Sequence, residues 1–337
     1  MKAYILAEPG TGAGAWKLAS RPDPSPAPGE VLVAIRAAAV NARDVAIARG
    51  AYAHPKRDLI PVSDGAGDVL AVGAGVSRPT VGERVVGAFY QGWIAGPPPK
   101  ATEPPSDLGY ALDGVLAERA IFRAAAALPI PAHLSYEEAA TLPSAGVTAW
   151  HALMESQPPH KPGATILTLG SGGVSLFAFQ IAKAAGLRVI GTTSSATKAN
   201  RLRALGWDHV IDYGQNPEWQ DAVRDATGGL GVDQVIEVGG VTLARSLRAA
   251  KRYGLVSVIG GAGGWDAQVS LLDIVESRAR IAPVFVGSAA MFAAMNRAIS
   301  AHRLRPIIDR VFEFDEAPQA LERQASGTHI GKVVIRV

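Results

Sequence analysis

The stretch Thr165-Ile166-Leu167-Thr168-Leu169-Gly170-Ser171-Gly172-Gly173-Val174-Ser175 limits what this chain can fold into more than any other segment. An apolar β-rich run leads into a glycine turn and then into a helix. A parallel sheet needs that order to hold a dinucleotide. Gly170 permits the tight turn, and Gly172 lets the backbone come close to a pyrophosphate. The unpaired N–H groups at the helix start then bind the phosphate charge. Val174, Phe177, Ala178, Ile181, Ala182 and Ala185 recur at helical spacing, and Gly186 ends the helix. Ser175 replaces the usual third small residue. The next strand, Arg188–Thr193, completes the βαβ pattern.

The end of that second strand bears on which dinucleotide binds. An NAD site usually places Asp or Glu about 20 residues beyond the glycines to accept hydrogen bonds from the ribose 2′-OH. Here Thr193, Ser194 and Ser195 stand in that region, with Lys198 just beyond. Hydroxyls and an ammonium suit a 2′-phosphate, and no carboxylate is there to repel it. The pattern favours NADPH over NADH. Ser195 also reads as a helix cap and Lys198 as a solvated side chain, and these roles are compatible with phosphate binding.

With 337 residues the chain has room for two domains, and 48% hydrophobic residues fit a soluble globular protein. The net charge of +3 is not gathered into a basic block, so a nucleic-acid surface is not indicated. The absence of cysteine excludes disulfides, thiolate catalysis and cysteine-ligated zinc. No apolar run reaches membrane-spanning length, which makes the cytoplasm the expected location.

The first ~125 residues read as β-rich, with strands expected at Val31–Val40, Gly67–Val72, Arg84–Ala88 and Val115–Ile121. Pro97 to Pro105 reads as an exposed loop. From about Ala127 the texture becomes βαβα. Further strands are expected at Val210–Ile211, Gln234–Val238 and Val256–Ile259, with helices near Thr197–Leu205, Glu218–Thr227 and Leu243–Tyr253. Asn216-Pro217 reads as a cap and first turn. The tail adds a helix near Met291–His302 and strands near Val311–Phe314 and Lys332–Val337.

Several further segments share their order and spacing with one family. They are Val40-Asn41-Ala42-Arg43-Asp44, Asp64-Gly65-Ala66-Gly67, Val81-Gly82-Glu83-Arg84-Val85, Asp113–Glu118, Ala139–Pro143 and Gly331-Lys332-Val333-Val334. Together they resemble the medium-chain dehydrogenase/reductase superfamily over essentially the whole chain, and its zinc-free, quinone-oxidoreductase-like and alcohol-dehydrogenase-like branch most closely. The resemblance implies an α/β protein: a Rossmann doubly wound parallel sheet at 127–284, plus a β-rich GroES-like catalytic domain from 1–126 with 285–337. It also implies an active site in the cleft between them, and a homodimer or homotetramer.

The resemblance further assigns residues. Gly170, Ser171, Gly172, Gly173 and Val174 would follow the pyrophosphate, and Thr148 would pack near the nicotinamide. Tyr213, Gly239, Gly240, Gly260 and Gly261 follow later strands, at carboxyl ends where an open sheet binds ligands. Val286 would border the carboxamide. Lys332 reads either as a phosphate contact or as a solvated strand lysine. Asn41, Asp44 and Tyr52 would lie at the nicotinamide pocket as catalytic candidates, although Asp44 reads more readily as a turn-fixing carboxylate and Tyr52 reads as well as a packing residue. Arg43 has only a salt bridge to suggest. Similar proteins often carry Arg after Val286-Gly287-Ser288, where this chain has Ala289.

Zinc-dependent relatives carry Cys, His and Cys at positions that match Asn41, Ser63 and Ser144. An amide and two hydroxyls are poor zinc ligands. Their four-cysteine lobe is replaced here by Tyr90–Gly109. The seven histidines, His54 among them, show no ligand spacing. No metal is therefore expected. Alcohol oxidation develops an alkoxide that a metal usually stabilises. A quinone or enone is already electrophilic, and its oxygen needs only hydrogen-bond donors. The expectation is NADPH-dependent hydride transfer to a quinone, enone or other activated carbonyl, the substrate being a small molecule. The alternatives are a metal-free alcohol dehydrogenase-like enzyme and a non-catalytic NADPH-binding redox sensor.

Overall fold

The computed structural model describes every residue except 53–55, 57, 101–102 and 156–158. His54 and part of the proline-rich stretch thus lie outside the described residues. The chain divides into two compact units, Thr148–Phe285 and Met1–Val147 with Val286–Val337. The boundary falls later than residue 127 for a packing reason. Strand Ala127–Pro129 pairs with Arg84–Gly87, and helix Tyr136–Ala140 packs on the strands Glu30–Val40 and Asp64–Val72. Both elements therefore stay with the β-rich unit.

Among the described residues, Thr148–Phe285 holds a six-stranded parallel sheet. Its order is His209–Asp212, Arg188–Thr193, Thr165–Leu169, Val232–Glu237, Ala250–Val258, Arg280–Pro283. The chain winds outward from Thr165–Leu169 in one direction and then returns to add strands on its other side. The strand order reverses there, and that switch point is where such sheets bind ligands. Leu167, Ile190, Val235 and Val256 are fully buried in its core. Gly191 is forced by packing: a Cβ there would stand 2.8 Å from the Trp207 ring. Trp207 itself stacks on Phe179 at 3.5 Å.

Two local expectations are corrected here. The helix expected to reach Tyr253 stops at Ala249, because Ala250 already pairs with Val232 in the sheet. Asn216 does not cap the next helix, which runs Trp219–Asp225 with Glu218 at its cap. The Asn216 backbone N–H and side-chain amide instead both donate to the Asp212 carbonyl, closing the turn after that strand.

In the other unit the strand Glu30–Val40 is central. Asp64–Val72 pairs with it on one side and Lys332–Arg336 on the other, both antiparallel. The registers are the important detail. Ala39 stands opposite Asp64, and Val40 stands opposite Val333. One strand end thereby brings together residues from three distant parts of the chain. The expected strand Val115–Ile121 is found at Arg119–Arg123, paired with Glu30–Val40. Val115 and Leu116 instead donate to the Val62 and Pro61 carbonyls outside any regular strand. The core collects Val31, Val33, Phe122 and Val333, all fully buried.

Candidate active site

Most of the residues read from the sequence as cofactor contacts, Thr148 and Val286 aside, follow the carboxyl ends of the parallel strands. Gly170 has φ +75°, a conformation that an L side chain rarely adopts. Gly172 is the cap of helix Gly173–Ala184 in an extended conformation, and a Cβ there would meet nothing within 4 Å. The space beside this turn is open, and the first-turn N–H groups of the helix border it. Ser175 explains its own presence: its hydroxyl is buried and donates to the Leu169 carbonyl at 2.6 Å, tying the helix to the strand it follows.

Thr193 ends the second strand with its hydroxyl buried and without a hydrogen-bond partner. Ser194 is exposed, and Ser195 caps helix Ala196–Ala204 by accepting from the Lys198 backbone N–H at 3.4 Å. The cap sets Ser195 and Lys198 within the same first turn of this helix. Tyr213 is 41% exposed, and its backbone N–H donates to the Thr193 carbonyl. Gly239 and Gly240 are held by Glu237, a fully buried carboxylate that accepts from both their N–H groups and from the hydroxyls of Thr242 and Ser246. Gly260 and Gly261 follow the strand Ala250–Val258. Thr148 and Ser171 are buried in the same unit, whereas Val286 belongs to the other one. An open glycine turn, an orphaned buried hydroxyl and a polar strand-end loop fit a dinucleotide.

The second group of residues sits where Glu30–Val40 ends. Asn41 precedes helix Ala42–Ala48, and its backbone N–H donates to the Asp44 Oδ2 at 2.7 Å. Asp44 thus fixes the helix start. Its other oxygen is buried with no hydrogen-bond partner, and burial raises its pKa to about 6 despite the nearby Arg43. Asp64 is fully buried and is the hub of the cluster. It accepts from the Ser63 hydroxyl at 2.7 Å and from the Ser144 backbone N–H at 3.1 Å, and the nearby Asn41 side chain favours its charged form. Burial pushes the Asp64 carboxyl up, and the Lys332 ammonium opposes that most.

Lys332 corrects its sequence reading as a solvated strand lysine. It is 3% exposed, and its ammonium donates to the Val40 carbonyl at 2.8 Å and to the Asn41 Oδ1. Burial holds its pKa down, while Asp64 and then Asp44 raise it. The physical reason is the strand register, which points this side chain at the end of Glu30–Val40 rather than into water.

These contacts decide how the cluster would treat zinc. Ser63 and Ser144, which the resemblance matched to metal-ligand positions, meet a carboxylate here: the Ser63 hydroxyl and the Ser144 backbone N–H donate hydrogen bonds to Asp64, and the Asn41 Oδ1 accepts from an ammonium. A buried cation already occupies the neighbourhood and would repel a second one. Among the described residues no group of three or more His, Cys, Asp or Glu side chains has metal-binding spacing. The residues present do not fit a catalytic zinc.

Arg43 forms the salt bridge that its sequence reading suggested, and more. It donates to Asp107 at 2.6 Å and to the Leu108 carbonyl, and its guanidinium lies 4.3 Å over the Phe89 ring. It therefore ties together both ends of the segment from Phe89 to Leu108. Tyr52 is half-buried and packs edge-on against Tyr110 at 5.4 Å. His133 and His151 bond backbone carbonyls and His160 bonds Gln234, which are structural roles.

A doubly wound parallel sheet with an open glycine turn, joined in one chain to a β-rich unit carrying a buried polar cluster, defines a dinucleotide-dependent oxidoreductase architecture. Family models match on both parts: the alcohol dehydrogenase GroES-like domain over residues 27–132 and the zinc-binding dehydrogenase domain over residues 173–301. A zinc-type alcohol dehydrogenase-like protein of Schizosaccharomyces pombe is 41% identical, over 92% of this chain and 91% of its own length. The solved structure of an NAD-dependent alcohol dehydrogenase is 29% identical over 100% of both chains, with a TM-score of 0.90. A mycobacterial protein solved in complex with NADPH is 28% identical over 100% of this chain and 99% of its own, with a TM-score of 0.83. This chain belongs to the medium-chain alcohol dehydrogenase/reductase superfamily of oxidoreductases.

Proposed function

We propose that this protein is a zinc-independent, NADPH-dependent reductase that delivers hydride to a quinone, enone or similarly activated carbonyl. The observation that carries the reading is the cluster around Asp64. The positions of the family's metal site form a closed network of hydrogen bonds with its own cation, Lys332. Such a site lacks the Lewis acid that an alkoxide requires, yet it can present hydrogen-bond donors to an acceptor oxygen.

NADPH, when bound, supplies the hydride. Gly170, Ser171, Gly172, Gly173 and Val174 would hold its pyrophosphate through backbone N–H groups. Thr193, Ser194, Ser195 and Lys198 would receive the 2′-phosphate, and Thr148, Tyr213, Gly239, Gly260, Gly261 and Val286 would complete the contacts. The NADPH complex of the mycobacterial relative supports this choice, although the NAD-dependent relative shows that both dinucleotides occur in the fold. As the new C–H bond forms at the acceptor carbon, the π pair moves onto the carbonyl oxygen. Asn41 and Tyr52 would donate to that oxygen, and water would supply the final proton. Asp44 would set the angle at which Asn41 is presented.

A cysteine-free composition supports a cytoplasmic setting, and among the described residues no helix is long and apolar enough to cross a membrane. Helix Leu271–Ser277 buries none of its residues, and Leu271 and Leu272 are 76% and 62% exposed. That apolar face beside the edge strand Arg280–Pro283 supports a homo-oligomer. The function is tested by steady-state turnover with NADPH on a panel of quinones, enones and simple alcohols. Consumption of quinones or enones without alcohol oxidation is expected. Tight NADPH binding with no acceptor consumed would favour a redox sensor instead.

A further inference from the structure

We propose that Lys332 is a positioning residue of the reaction, acting through Asn41 to orient and polarise the amide that receives the acceptor oxygen. This deepens the reductase reading and rests on it. The Asn41 Oδ1 accepts from the buried Lys332 ammonium, and the buried Asp64 carboxylate is close enough to be influenced by the same side chain. The ammonium fixes the orientation of the amide, since the reverse would set N–H against it.

The amide nitrogen makes only a marginal contact, 3.5 Å to the Ala39 carbonyl. Asn41 is half-buried whereas Lys332 and Asp64 are 3% and 0% exposed. The amide is thus the part of this cluster within reach of a substrate. An ammonium bonded to an amide oxygen draws electron density from the nitrogen and makes its N–H a stronger donor. Positive charge buried out of reach is in this way transmitted to a group at the surface of the site. It acts when negative charge grows on the acceptor oxygen, which is where preorganised donors have most effect. Asp64 favours the charged form of the ammonium, and is itself held by the Ser63 hydroxyl and the Ser144 backbone N–H.

The test compares Lys332→Met, Lys332→Arg and the double variant Lys332→Met with Asp64→Asn. The double variant removes both buried charges together, so that no unpaired carboxylate unfolds the protein. Three readouts are taken: NADPH affinity by intrinsic fluorescence, kcat and KM on an accepted quinone or enone, and the Asn41 side-chain amide resonances in 15N-labelled protein. Expected results are a kcat lowered at least about tenfold, NADPH affinity and acceptor KM within about twofold, partial recovery of kcat in Lys332→Arg and a shifted Asn41 amide pair. Weakened NADPH binding with kcat retained would overturn the proposal and make Lys332 a cofactor contact. Unmoved Asn41 resonances would overturn it as well. Failure of the reductase reading looks different: the unmutated protein would consume no acceptor, while the Asn41 resonances still answered to Lys332.

Discussion

The glycine turn after Thr165–Leu169 and the cluster at the end of Glu30–Val40 solve the same problem, the handling of ligand charge, in opposite ways. The first is built from backbone, bears no side-chain charge and is open: a Cβ on Gly172 would touch nothing within 4 Å. The second is built from side chains and is filled, with a lysine 3% exposed beside a carboxylate 0% exposed. An open backbone cradle suits a charged ligand. A closed ionic cluster already contains both signs, which suits it to polarising a ligand rather than to holding a metal ion. The two regions therefore fail differently when altered.

The largest contrast is expected at the cradle. Gly172→Val should fold normally, because Gly172 has an ordinary φ of −79° and free space around it. It should nevertheless lose both NADPH and NADH binding by more than about a hundredfold, since the added methyls occupy the phosphate's place. Fluorescence titration and a melting curve on the same sample check both halves. Unchanged binding would show that the turn does not hold the pyrophosphate.

A smaller effect separates the ends of the cofactor. Lys198→Ala should weaken NADPH by about tenfold, the order of one charge-assisted contact, and leave NADH nearly unchanged. Equal weakening of both would remove Lys198 from the 2′-phosphate site.

The gentlest test concerns the cluster's own charges. The Asp44 pKa is raised from 3.8 to about 6 in the folded protein, with burial the main cause. The folded state then holds this proton more tightly than the unfolded chain does. Its contribution to stability is complete at low pH and is lost as pH rises between about 4 and about 6. Asp44→Asn keeps an acceptor for the Asn41 N–H and removes that titration. Its melting temperature relative to the unmutated protein should therefore climb over this pH range. A flat difference would mean that Asp44 carries no such burden.

The same contrast explains what the sequence disclosed. The cradle is local: strand, turn and helix are contiguous between Thr165 and Ala184, and each has its own periodicity or glycine signal. Ser195 likewise showed its capping role in place. The cluster is not local. Lys332 meets Asn41 across a separation of 291 residues, and only the antiparallel register of Lys332–Arg336 on Glu30–Val40 brings them together. A lone lysine before a β-rich tail reads as solvated until that register is known. Asp64 was visible only as part of a glycine-rich motif, and Arg43 only as one half of a salt bridge whose partner, Asp107, lies 64 residues away. The early end of the helix at Ala249 is of the same kind, a local helical preference overruled by pairing with Val232.

This member of a family named for zinc is proposed to work without it. NADPH-dependent turnover of an accepted quinone or enone should be measured before and after exhaustive chelation, with metal content determined on the same protein. Substoichiometric zinc and a rate that chelation does not change are expected. One zinc per chain, with activity lost on chelation and restored by zinc, would contradict the proposal.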